Sequence, residues 1–280
     1  RLNLDLEILP EKGGLPNISF TGELPEAVFH RDAEEVAVSA ASFAGRLAPE
    51  KERIRIVVDR WEGTAPDIDF SARLDFETGN GGSLVLRDIE TQAADFDVAE
   101  VKSPVLFFAG PGAGLDIVFD VLRAGRVEKL LLETRLPGPS HAFAPEDFRL
   151  EGQISGGTVH VPGIDLDLAS VAATARIENG LLSATALEAA HQNVSGTDGD
   201  LVLSLFDGSK RLELDIRVEA GLSDLPSTLA RVIDSPSFLQ GVEAIRSLEG
   251  SAEGRLVLGD TLEDIRPRVQ VDRRSEEHTS

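Results

Sequence analysis

The feature that most restricts this chain is hydrophobic alternation with a period of two, which returns through most of its length. Leu2, Leu4, Leu6 and Ile8 fall on one side of the opening segment, and Arg1, Asn3, Asp5 and Glu7 on the other. The pattern recurs at Ile68, Phe70, Ala72, Leu74 and Phe76, at Phe148, Leu150 and Ile154, and at Val159 and Val161. It is cleanest where Leu212, Leu214, Ile216 and Val218 alternate with Arg211, Glu213, Asp215, Arg217 and Glu219. Successive strand side chains point to opposite faces, so each run buries one face and wets the other. That is antiparallel behaviour, because parallel strands are usually apolar on both faces.

Turn chemistry agrees. Asn80-Gly81, Asn179-Gly180, Asp198-Gly199 and Asp207-Gly208 lie between alternating runs. Such pairs favour the positive φ angles of tight hairpins. Gly156-Gly157 is expected to do the same between Ile154 and Val159, so Phe148 to Ala220 reads as a meander of hairpins. The form Gly-x-Leu-Val-Leu occurs at Gly82–Leu86, Gly199–Leu203 and Gly254–Leu258. Each is expected to be a turn glycine opening a strand; chance among common strand residues is the alternative. The irregular spacing rules out a solenoid repeat.

Helical signals are few. Leu115, Val118, Phe119 and Leu122 predict a helix over Gly112 to Ala124, with Gly125 as its C-cap. Leu225 to Ile233 and Ser237 to Leu248 predict a helical pair broken at Ser235-Pro236. Ala48 to Arg53 is a polar turn, Trp61 to Pro66 a break with a soft boundary, and Leu136 to Pro145 a proline-rich loop. Residues 1–61 form a preceding β segment and 62–273 the main β region. Residues 274–280, Arg-Ser-Glu-Glu-His-Thr-Ser, look like translated sequencing adapter and are set aside as a non-native tail.

Composition narrows function by exclusion. The chain has 280 residues, 41% hydrophobic and mainly aliphatic, and 26 glycines that suit frequent turns. Its formal charge of −22 argues against nucleic acid, which needs a Lys/Arg patch, and against docking on anionic lipid headgroups. The same charge keeps an apolar surface from aggregating. With no cysteine, disulfides and thiolate metal sites are excluded. No run of about 18 apolar residues is present to span a bilayer as a helix. The chain lacks Met and opens directly on a strand pattern, so it reads as a piece of a longer protein whose targeting signal lies upstream.

No constellation carries catalysis. His30, His141, His160, His191 and His278 make no i, i+3 or i, i+4 pair for a metal. His160, between Val159 and Val161, is expected to face solvent. Gly110-Pro111-Gly112-Ala113-Gly114 lacks the Lys-Ser/Thr of a phosphate loop and the third glycine of a dinucleotide fingerprint, so it reads as a helix lead-in. Asp165 with Asp167, and Asp198 with Asp200, lack EF-hand spacing, and among 49 acidic residues such pairs belong to a solvated face. Asn17-Ile18-Ser19 and Asn193-Val194-Ser195 match the glycosylation pattern, which is short and frequent and carries no weight. No catalytic residue, metal or cofactor is expected, and the protein is expected not to be an enzyme.

The run Pro145-Glu-Asp-Phe-Arg-Leu-Glu-Gly-Gln-Ile-Ser-Gly-Gly-Thr-Val-His-Val-Pro-Gly163 continues through Ile177-Glu-Asn-Gly-Leu-Leu182 to Gly199-Asp-Leu-Val-Leu203. It resembles the AsmA-like proteins of Gram-negative envelopes, including a branch classed as a domain of unknown function. The resemblance extends over roughly Trp61 to Asp272 and rests on turn signatures. It implies an extended, curved, taco-like antiparallel sheet with an apolar interior. It also implies a periplasmic location, an inner-membrane anchor helix that is absent from this sequence, and a part in phospholipid traffic for outer-membrane biogenesis. The expected partner is phospholipid or another acyl lipid, and each buried CH₂ is worth about 0.8 kcal/mol. The expected lining is Leu74, Phe76, Leu84, Leu86, Phe148, Leu150, Val159, Val161, Leu201, Leu203, Leu212, Leu214, Ile216 and Val218. The alternative is a non-enzymatic structural or adhesin-like scaffold in which these side chains pack a closed core. A polymer hydrolase would instead require two carboxyl groups about 5–10 Å apart in a cleft.

Overall fold

The computed structural model describes residues 3–10, 15–31, 34–79, 84–109, 115–135, 148–161, 166–204, 211–221, 250–261 and 264–275. Fourteen strands follow one another in sequence order, each antiparallel to its neighbour wherever the pairing is described. The order runs from one terminal strand to the other without closing into a barrel. The chain is therefore mostly β and antiparallel, as the alternation requires. It divides into two compact units, Arg1–Asp120 with Arg126–Gly152, and Val121–Gly125 with Gln153–Ser280.

The first unit contains β1 (Asn3–Leu9), β2 (Asn17–Arg31), β3 (Glu34–Pro49), β4 (Arg53–Thr64), β5 (Asp67–Thr78), β6 (Leu84–Asp97) and most of β7 (Leu122–Arg135). Trp61 lies inside β4, opposite Phe43 and Phe70. Register sets apolar residues in rows across the strands. One row runs Ile8, Ile18, Leu47, Ile56, Leu74, Ile89. A second runs Leu6, Phe20, Gly45, Val58, Ala72, Thr91, Leu132, and a third Leu4, Gly22, Phe43, Trp61, Phe70, Ala93, Leu130. Two glycines in these rows make room for rings. A Cβ on Gly22 would stand 2.5 Å from Cζ of Phe43, and one on Gly45 would meet Phe20.

Helix α1 (Val98–Ala109) follows β6. Asp97 caps it, its Oδ1 accepting from the N–H of Ala99 at 2.8 Å. Phe107 is buried in a cluster with Val36, Val38 and Ala41, against which Leu24 and Trp61 pack. The guanidinium of Arg31 lies 4.9 Å from the Phe107 ring centre and donates to the Phe107 carbonyl. The helix foreseen over Gly112 to Ala124 is shorter, α2 (Leu115–Val121), and Leu122 already opens β7. Helical spacing alone had placed Leu122 on the helix, but it belongs to the strand.

The second unit contains the end of β8 (Phe148–Val161), β9 (Leu166–Glu178), β10 (Leu181–His191), β11 (Val194–Ser204), β12 (Leu212–Gly221), β13 (Ser251–Thr261) and β14 (Asp264–Ser275). Asn179-Gly180 is the expected tight turn, with φ of 51° and 73°. Two other turn assignments are overturned. Gly156-Gly157 lies within β8 and Asp198-Gly199 within β11. Gly199 and Gly254 are accordingly mid-strand rather than strand-opening glycines, and each adjoins a register shift. Within the strands β8 to β11, positive φ falls at Gly156, Ser170, Ala186 and Asp198, one on each. A bulge bends its strand and tightens the local twist, so these positions crease the strands that a hairpin reading would have ended. The segments at Asn80-Gly81 and Asp207-Gly208, the loop at 136–145, the glycine segment at 110–114 and the helical pair at 225–248 lie outside the described residues.

Candidate apolar binding face

The alternating sequence makes the first unit two-sided. Its reverse face is charged and tied across strands. Arg55 and Asp75 sit opposite each other, with Nε to Oδ1 at 2.6 Å, and Arg73 reaches the same carboxylate at 3.2 Å. Burial pushes the Asp75 carboxyl up, but the Arg55 hydrogen bond and the charges of Arg55 and Arg73 outweigh it, leaving the pKa below the usual range. Arg87 pairs with Glu77 at 2.6 Å, and Arg46 with Asp59 at 2.9 Å.

The apolar face carries the candidate site. Leu74 and Phe76 lie on β5, with Leu74 opposite Ile56 and Ile89 and Phe76 opposite Ile54 and Leu86. All six are half-buried. Leu84, opposite Thr78, is 52% exposed. Leu150 is half-buried, and a Cβ on Gly152 would contact both it and Leu130 of the third row. Among the described residues no large side chain falls below 2% exposure. A sheet sandwiched by a second layer buries its central aliphatic residues far more completely. Of the helices, α1 contacts β3 and β6, and Phe107 closes the Leu24, Ala41 and Trp61 end of the face.

The second unit treats its candidates differently. Ile216 is buried with Val171, Ala173, Ala184 and Leu187, and Val159, Leu201, Leu214 and Val218 pack against that cluster. Leu203 and Leu212 oppose each other and are each 5% exposed. Gly196 and Gly199 leave room for the Ile216 side chain, whose Cδ1 would stand 2.5 and 2.9 Å from a Cβ there. These residues share one face, as alternation requires, but the creased strands seal much of it with their own side chains. Phe148 and Val161 end β8, and their side chains lie outside the described set.

Sequence reasoning missed part of the face. Phe43, Trp61 and Phe70 form a stacked aromatic strip, with ring centres 5.8 and 5.5 Å apart and planes within 21°. Reading Trp61 as a break hid it. Ile54 and Ile56 alternate with Arg53 and Arg55, a signal of the same kind as those used elsewhere.

His160 is half-buried rather than fully open to solvent. It is 19% exposed, and its Nδ1 lies 2.8 Å from Oδ1 of Asp167, which also meets Arg123 at 3.2 Å. Nδ1–H of His191 donates to the Asp167 carbonyl at 2.8 Å. The His160 hydrogen bond, helped by the Arg123 and His191 charges, holds the Asp167 carboxyl below its usual range. Among the described residues no cluster of three or more His, Asp or Glu side chains could hold a metal. No helix of the described residues is long and apolar enough to cross a membrane.

Compared with known proteins, the chain matches no family model, no curated protein and no solved structure.

Proposed function

We propose that the apolar face of the first unit binds the acyl chains of a lipid, as a non-enzymatic segment of an AsmA-like envelope protein. One observation carries this reading: apolar residues aligned from β1 to β7 remain half-exposed, although burying them would be strongly favourable. Each acyl CH₂ laid against them gains about 0.8 kcal/mol. A headgroup left at a sheet edge stays in water, and the charged reverse face keeps the protein dispersed. The role requires no reacting side chain and no cofactor. A periplasmic location, an inner-membrane anchor and phospholipid as cargo belong to the same proposal and rest on the AsmA-like sequence run, of whose turn pairs Asn179-Gly180 makes a turn.

Trp61 supplies the test, being the single tryptophan and set in the aromatic strip. Phospholipid brominated along its acyl chains is expected to quench Trp61 emission, headgroup-matched lipid without bromine is not, and Ile56→Asp with Leu74→Asp is expected to weaken the quenching. Acyl lipid is also expected in organic extracts of the purified protein. Unchanged emission together with lipid-free extracts would overturn the proposal. The sealed cluster around Ile216 favours a scaffold role for the second unit.

A further inference from the structure

The charged face of the first unit holds a cavity where β4 to β7 end. It encloses about 220 Å³ and is lined by Arg53, Arg87 and Arg135 and by Asp75, Glu77 and Asp88. Asp75 and Asp88 stand directly opposite each other, which like charges disfavour. Arginine relieves the repulsion. Arg55 and Arg73, which do not line the cavity, hold Asp75, while Arg135 holds Asp88. Arg87 is the extra residue of a register shift, because Leu86 opposes Phe76 and Asp88 opposes Asp75. A bulge re-aims a side chain, and Arg87 turns onto Glu77 at 2.6 Å.

That pairing leaves one lining cation over. Arg53 stands opposite Glu77, but Arg87 takes that carboxylate, and Arg53 has no ion pair among the described residues. Arg135 meets Asp88 through Nε, at 3.3 Å, and its side chain is 90% exposed. A guanidinium is a planar fork of N–H donors, so both residues keep their Nη ends for a ligand. We infer that this cavity binds a phosphate group. A tetrahedral phosphate offers oxygens in several directions and can accept from forks on separate walls, Arg53 on β4 and Arg135 on β7, whereas a carboxylate offers one planar pair. Phe76, the last apolar residue of β5, also lines the cavity, so the site adjoins the apolar face without needing an acyl chain on it.

The test titrates the purified protein with inorganic phosphate and with glycerophosphoethanolamine, at an ionic strength fixed with chloride, and follows the arginine Nε–Hε signals by NMR. Saturable shifts are expected at Arg53, Arg87 and Arg135, with acetate leaving them unmoved. Arg53→Gln with Arg135→Gln is expected to weaken binding about tenfold or more. Both residues are exposed, so the fold does not depend on them. Arg46→Gln with Arg60→Gln removes as much charge from exposed positions of the same unit outside the cavity, and is expected to leave binding unchanged. Tighter binding of glycerophosphoethanolamine assigns the site to a lipid headgroup and tighter binding of inorganic phosphate to the free ion; either order supports the cavity. The inference is overturned if neither compound shifts the signals beyond chloride, if acetate matches phosphate, or if the two double variants weaken binding equally.

Discussion

Glycine placement decides much at the scale of single residues. Gly22 and Phe43 face each other across β2 and β3, and the ring occupies the space a side chain on Gly22 would need. Gly22→Ala is expected to destabilise the protein by about 1–3 kcal/mol through overpacking, read by urea denaturation. Adding Phe43→Leu is expected to recover part of the loss, which a purely conformational effect of alanine would not allow. Asp75 is the clearest electrostatic residue, only 14% exposed and bound to Arg55 and Arg73. Its folded pKa is depressed, so its contribution is fully present above the unfolded value of about 3.9 and is lost as pH falls through the folded value. Asp75→Asn is expected to cost about 1–2 kcal/mol at neutral pH, with the difference from the parent shrinking below about pH 4 in acid titrations of stability.

At the scale of elements, α1 is the part that the residue pattern concealed. Val98, Val101 and Val105 have helical spacing, but Pro104 interrupts the segment and argues against a helix. Packing outweighs that penalty, because Phe107 buries itself against Val36, Val38 and Ala41. Phe107→Ala is expected to cost about 3–5 kcal/mol and to shift Trp61 emission to the red as water reaches that end of the face. The bulged strands teach the complementary lesson. Asn179-Gly180 makes a hairpin, yet Asp198-Gly199, an equally good turn pair, sits within β11. Local chemistry provides positive φ; whether the chain reverses there or bulges depends on the partner strand.

For the whole molecule, the half-exposed aliphatic rows of the first unit and the sealed cluster of the second divide a single sequence pattern between two outcomes. The acyl-chain proposal belongs to the first, and the brominated-lipid measurement addresses it directly.

Where it was read, alternation alone determined strand character, antiparallel pairing and the apolar side, because a period of two is a property of the extended backbone and needs no distant partner. It was legible at Leu74, Phe76, Leu212 and Ile216 alike. Only the tertiary structure decided which of those side chains are sealed. Ile216 is buried because Gly196 and Gly199 lie beside it, whereas Leu74 is flanked by Ile56 and Ile89 with its outer side left half-open. Burial depends on what the neighbouring strands place alongside, and that depends on register and bulges, which residues far apart in the chain settle together.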